Sequence, residues 1–289
     1  MSSMSAVRGV GVSLLSAAGL LACLAAPAAA QVTVNAAIDV SNQYNFRGIR
    51  QNRSGASIWP YFDVGGTAYK GMGAIKTVSL DAGMWNAFHT EIKDNAFITL
   101  DGDVSNNKWY EADYFGTVGL GFGGGFTLGT TYTSYTSPGN YWAHIKELAF
   151  KGSYDDSGRL GKASVKPYAL IAFELDDNGA DGIGKRGTYV ELGVAPGYSG
   201  KKASVSVPVK VGLSAKDYYE FGTGSDAKFG YFSVAGVVTV PLASGWNAHG
   251  GLELQAYGDR LKAVNTFGDN GDRAWDGIAS VGIGYSFTH

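Results

Sequence analysis

Trp275-Asp276-Gly277-Ile278-Ala279-Ser280-Val281-Gly282-Ile283-Gly284-Tyr285-Ser286-Phe287 alternates almost without error. Trp275, Gly277, Ala279, Val281, Ile283, Tyr285 and Phe287 fall on one face. Asp276, Ser280, Gly282, Gly284 and Ser286 fall on the other, with Ile278 the lone apolar residue among them. Side chains of a strand alternate between two faces, so this pattern suits a strand wetted by lipid on one side and by water or polar groups on the other. Aromatic residues at both ends of the apolar face suit the two membrane interfaces. The stretch therefore predicts an all-β, antiparallel, transmembrane outer-membrane β-barrel.

Working outward, the same two-residue period recurs. Strands are predicted at 32–41, 57–69, 76–89, 109–122, 126–135, 144–154, 163–174, 188–198, 204–214, 229–242, 246–257 and 275–287, with the sixth poorly alternating. In the fourth, Tyr110, Ala112, Tyr114, Val118, Leu120 and Phe122 are expected on the lipid side, and Glu111, Asp113 and Thr117 inside. The connections alternate long and short along the chain. Short periplasmic turns and long outer loops have this signature, and an even strand number leaves both termini on the periplasmic side. A soluble sandwich gives no reason for the alternation. About twelve strands fit, with ten and fourteen as the bracketing alternatives. Pro60, Pro167, Pro196 and Pro208 fall inside these segments and predict bulges or strand ends, because each lacks an amide for the ladder.

The first thirty residues read as an export signal: Arg8, an apolar stretch from Val10 to Leu24, and the small-residue exit Ala28-Ala29-Ala30. Residues 31–289 then form one barrel domain. The alternatives are a retained membrane helix, against which the short stretch and Pro27 argue, and lipid attachment at Cys23, the only cysteine. Cleavage after Ala30 leaves no cysteine and no disulfide. A formal net charge of -2 without a basic block excludes nucleic acid as the natural partner. The 17 Tyr, 14 Phe, 6 Trp and 43 Gly suit interface girdles and a curved sheet.

Lipid cannot satisfy a charge, so Asp39, Asp63, Asp81, Glu111, Asp113, Lys166, Glu174, Glu191, Lys210, Glu253 and Asp276 are the pore-lining candidates. They give either a narrow aqueous channel favouring cations or a lumen plugged by paired side chains. Tyr44, Phe46, Arg47, Arg50 and Arg53 of the first long loop are rim candidates. Tyr44 and Phe46 are expected in the outer aromatic girdle, and Arg47 on an inward carboxylate, with Gly48 letting the chain fold over the rim. A third reading, a lipid hydrolase, needs a nucleophile, a base and an orienting group at one rim. His89 and His144 lie near outer strand ends with Ser134, Ser137 and Asn140 nearby, but no compact serine–histidine pairing is evident in the sequence. No His/Asp cluster has metal-ligand spacing, and Gly123-Gly124-Gly125 is followed by no lysine or helix of a phosphate loop. No catalytic, metal or cofactor site is therefore assigned.

Val40-Ser41-Asn42-Gln43-Tyr44-Asn45-Phe46-Arg47-Gly48-Ile49-Arg50-Gln51 resembles the opening signature of the TorF-like porin family of proteobacterial outer membranes, matched at Tyr44, Phe46, Arg47, Gly48, Ile49 and Gln51. Ala82-Gly83-Met84-Trp85-Asn86 resembles a second element of that family, with Ala87 where serine is usual. The aromatic C-terminal strand agrees, although Thr288 and His289 follow Phe287. The resemblance implies a passive diffusion channel of a Gram-negative outer membrane for small solutes or ions. Its implied surroundings are outer-membrane lipid, lipopolysaccharide and the assembly machinery that reads the last strand. It names no solute.

Overall fold

The computed structural model describes residues 31–52, 54–91, 98–266 and 272–289. The export-signal prediction and Arg53 fall outside them. Twelve staves form one antiparallel sheet that closes on itself. We number them β1 (Val32–Ser41), β2 (Ser57–Lys70), β3 (Ile75–His89), β4 (Trp109–Phe122), β5 (Phe126–Thr136) and β6 (Ile145–Tyr154). The interrupted staves follow: β7 (Ala163–Ser164 with Tyr168–Glu174), β8 (Thr188–Val194 with Gly197–Ser199) and β9 (Ser204–Ser206 with Val209–Lys216). The barrel ends with β10 (Phe229–Pro241), β11 (Trp246–Tyr257) and β12 (Trp275–Thr288). β12 pairs with β1 from Thr33 opposite Thr288 to Ser41 opposite Ser280, which removes every free edge. Val32 and His289, at the two ends of the described barrel, bond each other at the short-turn rim. Among the described residues no helix is long and apolar enough to cross a membrane.

The lipid-type face of the closing stave points out, with Val281 63% exposed, whereas Asp276 is 1% exposed and points in. Aromatics gather at two heights on the outside. Trp246 packs on Tyr285, and Phe126 on Tyr154, near the short turns; Phe88 stacks on Trp109 near the long loops. The sixth stave obeys the rule that its sequence obscures. Glu147, Ala149 and Lys151 share one face and Leu148 and Phe150 the other, and inward Ala149 made it read as mixed.

The prolines explain the interruptions. Pro167, Pro196 and Pro208 split three adjacent staves, yet each still accepts a hydrogen bond at its carbonyl, from Tyr154, Val207 and Ala235 respectively. The Asp156 carboxylate covers the amides of Val165 and Lys166 where the chain bulges. Pro60 stays within β2, paired to Ile38, where the β2–β3 ladder skips a step.

Two expectations need correction here. Tyr110 does not face lipid. A bulge sets Glu111 opposite Ala87 and Trp109 opposite Phe88, so Tyr110 and Glu111 both turn inward. Lys166 lies exposed at the Pro167 break, with φ of 49°, and packs into no luminal pair among the described contacts.

Inside the barrel, rings lie over glycines of neighbouring staves. A Cβ at Gly212 would overlap the Tyr231 ring and one at Gly193 the Tyr168 ring. Gly212→Val should therefore cost about 1–3 kcal/mol by overpacking. A lowered urea midpoint of the folded, heat-modifiable gel band reports it, and an unchanged midpoint would refute the close packing.

Candidate functional site in the barrel lumen

The first long loop does not run over the rim. Beyond Ser41 it turns into the lumen, where Asn45–Phe46 pairs with Ile49–Arg50 as a hairpin detached from the wall. Its tip residues, Arg47 and Gly48, have φ of 49° and 80°, as a tight two-residue hairpin turn requires. Gly48 has no room for a side chain, since a Cβ would lie 2.8 Å from Leu261 Cδ1 and 2.9 Å from Tyr231 Cδ1.

Arg47 is the keystone of this plug. Its Nη1 and Nη2 donate to both Glu147 oxygens, at 2.5 and 2.8 Å, and Nη1 also reaches the Tyr218 hydroxyl at 3.0 Å. The guanidinium lies 4.2 Å from the Tyr189 ring centroid, 5.0 Å from Phe46 and 5.5 Å from Tyr218. Bidentate pairing and ring faces are what a planar cation needs away from water. The Tyr219 hydroxyl donates to the Arg47 carbonyl, and Asn265 brackets the hairpin by donating to Gly48 O and accepting from Arg50 N.

A second set of bonds fixes the entry to the hairpin. Gln43 Nε2 donates to Asp276 at 2.6 Å, Asn45 Nδ2 to the Tyr257 hydroxyl at 2.5 Å, and Tyr257 in turn to Asp276 at 2.8 Å. Arg273 pairs with the same carboxylate. Tyr44 packs against Trp59 and Trp85, and Phe46 edge-on against Tyr135. Both were expected in the outer girdle; both are inside, because the loop folds inward instead of over the rim.

Toward the short-turn end the lumen is polar and roomy. Asp39 faces His249 Nε2 at 2.7 Å, and Asp63 accepts from Asn35 at 2.9 Å and from the Tyr61 hydroxyl. Asp63 and Asp81 line one cavity of about 290 Å³, and Thr77, Thr117, Thr131 and Lys151 line another of about 360 Å³. Across the barrel, Glu191 accepts from Tyr168, Tyr189 and Tyr231, while Lys210 pairs with Glu253 at 3.8 Å. Toward the long loops, Glu111 and Asp113 are buried, and Glu174 accepts the amides of Ala180 and Gly187, each at 2.7 Å.

The outer loops contribute more than polarity. Residues 217–228 send Tyr218 and Tyr219 into the plug, and α1 (Asp259–Val264) sends Leu261. Asp181 collects the amides of Ile183, Glu220 and Phe221; burial nevertheless holds its carboxyl above the usual carboxylate range. Asp226 is held below that range: burial opposes its charge, but Lys228, Ser214 and the Tyr219 amide outweigh it.

Several of these groups were absent from the sequence-based candidates: Glu147, Tyr218, Tyr219, Leu261 and His249. An acid following Lys146 at the head of the apolar run Leu148 to Phe150, and paired tyrosines in a polar loop, were the available signals. Two serine–histidine pairs also form, contrary to expectation. Ser57 Oγ lies 3.1 Å from His89 Nδ1 beneath Tyr110, and Ser134 Oγ 2.7 Å from His144 Nε2 near the long-loop rim. Among the described residues no carboxylate bonds the second nitrogen of His144, so an orienting group is missing there. No group of three or more His, Cys, Asp or Glu among the described residues is placed to hold a metal ion.

The chain is similar in architecture to several solved outer-membrane proteins. An outer membrane channel from Pseudomonas putida F1 aligns over 89% of this chain and 95% of its own, at 9% identity and TM-score 0.49. The beta domain of the Bordetella autotransporter Brka aligns over 90% and 100%, at 14% identity and TM-score 0.40. The outer membrane channel DcaP of Acinetobacter baumannii aligns over 91% and 99%, at 9% identity and TM-score 0.40. No family model and no curated protein matches the chain.

Proposed function

We propose that this barrel is a narrow, passive diffusion channel of a Gram-negative outer membrane for small hydrophilic solutes or ions, constricted at its outer end by the residue 42–52 hairpin. What carries the reading is the division of the lumen. The lower half is a polar vestibule with cavities of about 290 and 360 Å³, and the upper half is occupied by a segment that pairs with itself and adds no strand to the wall. Filtering is then steric at the hairpin and electrostatic at Asp39, Asp63, Asp81, Lys151 and Lys210. No chemistry and no cofactor enter the mechanism. Lipid and lipopolysaccharide wet the outer face, and Tyr285 and Phe287 are the terminal aromatics that assembly machinery would read. The Tyr44–Gln51 stretch, which resembles the TorF-like opening signature, is in this reading the sequence of the constriction.

A second reading has its own support. The ring of buried tyrosines around Arg47 is packed as tightly as a structural core, which favours a non-conducting barrel. Planar-bilayer recording separates the two. Small, salt-dependent unitary currents are expected, and a folded sample silent across salts and voltages would overturn the channel.

A further inference from the structure

Beside the plug, under the long loops, lies a second cavity of about 290 Å³ that the hairpin leaves unfilled. Three carboxylates, Glu111, Glu147 and Glu174, share its lining with the rings of Tyr110, Tyr135 and Trp142. We propose that this cavity is a binding site for a small organic cation, an amine or guanidinium solute, on the route into the channel. The inference rests on the channel reading and deepens it by naming the class of solute.

Charge and shape both select that class. All three carboxylates are at least 95% buried and, among the described residues, only Glu147 is paired with a cation, Arg47, so an anion entering beside Glu111 and Glu174 would lie against buried acceptors at low dielectric. Arg50 is the only cation among the described lining residues, and its Nε is already committed to the Asn52 carbonyl at 2.9 Å. Aromatic faces add attraction for a diffuse organic cation, and the volume is close to that of small-ligand pockets. Glu174 keeps lone pairs to offer, because each of its oxygens accepts one amide and a carboxylate oxygen can accept two bonds.

The chain supplies an independent precedent in the same wall. Glu147 and neighbouring rings already hold a guanidinium, that of Arg47, in the geometry a free guanidinium would need. The hairpin thus presents a tethered cation to one side of a carboxylate-and-ring enclosure whose other side lines the cavity.

Isothermal titration of the full barrel in detergent tests this, with agmatine and putrescine as probes and glycerol and succinate as controls. Saturable millimolar binding of both cations is expected, with none for the controls. Glu174→Gln should weaken it about tenfold and Trp142→Leu about threefold. Gel mobility confirms that each variant is folded, and Trp142→Leu carries the test if Glu174→Gln does not fold. No binding of either cation, equal binding of a control, or full affinity in the folded variants would overturn the site. Cation binding by a barrel that passes no current would keep the site and overturn the channel; current without cation binding would do the reverse.

Discussion

A barrel in which residues 43–52 are replaced by a Gly-Ser linker of equal length should conduct severalfold more current per channel than the wild type. The expectation follows from where those residues sit. They make none of the stave-to-stave ladders, so their loss removes no rung of the wall. They do occupy the space between the Glu147, Tyr189 and Tyr231 walls on one side and the Trp59, Trp85 and Tyr110 walls on the other. Without the hairpin, Tyr218, Tyr219 and Asn265 lose the groups they hold there, and the loop that carries the two tyrosines loosens as well. The open cross-section then approaches that of the lower vestibule. Bilayer recording gives the unitary conductance, and heat-modifiable mobility shows that the barrel closed. Unchanged conductance in a folded sample would mean that the hairpin is not the constriction.

The wall of this protein was legible in its sequence and the contents of the lumen were not, for a physical reason. A stave is set by local alternation, and lipid on one face makes that alternation strict, as in Trp275 to Phe287. Turn lengths then order the staves without any knowledge of contacts. The lumen obeys no such period. Arg47 meets Glu147 across 100 positions of sequence, and Gln43 meets Asp276 across 233. Neither pair has a spacing that could announce it. The sequence did place Arg47 against an inward carboxylate, because a cation in a loop beside an acidic barrel has few other destinations. It could not say which carboxylate, since inward Ala149 blurred the alternation of the stave that carries Glu147. Tyr44 and Phe46 were misplaced for a related reason: an aromatic near a strand end suits a girdle and a plug equally, and only the hairpin geometry at Arg47 and Gly48 decides. Tyr110 failed through a bulge, which shifts the phase of the alternation without marking the composition.

The second large effect concerns the Arg47–Glu147 pair taken alone. Both side chains are nearly withdrawn from solvent, at 13% and 4% exposure. Breaking such a pair from one side leaves an unpaired charge and costs about 3–5 kcal/mol, whereas replacing both partners by apolar groups can be nearly neutral. Arg47→Met should therefore shift the balance between seated and released hairpin by about a hundredfold or more, at 1.4 kcal/mol per tenfold. Glu147→Gln should do the same, since Arg47 would then keep one neutral amide oxygen, the Tyr218 hydroxyl and the rings but lose its countercharge. The double variant, Arg47→Met with Glu147→Leu, should recover most of the loss, because Phe46, Tyr189 and Tyr218 already form an apolar seat for the methionine. The frequency of large-conductance openings in single-channel records measures the released state directly. If the two single losses simply add in the double variant, the pair does not hold the plug, and the fixing bonds at Gln43, Asn45 and Asn265 must carry it instead.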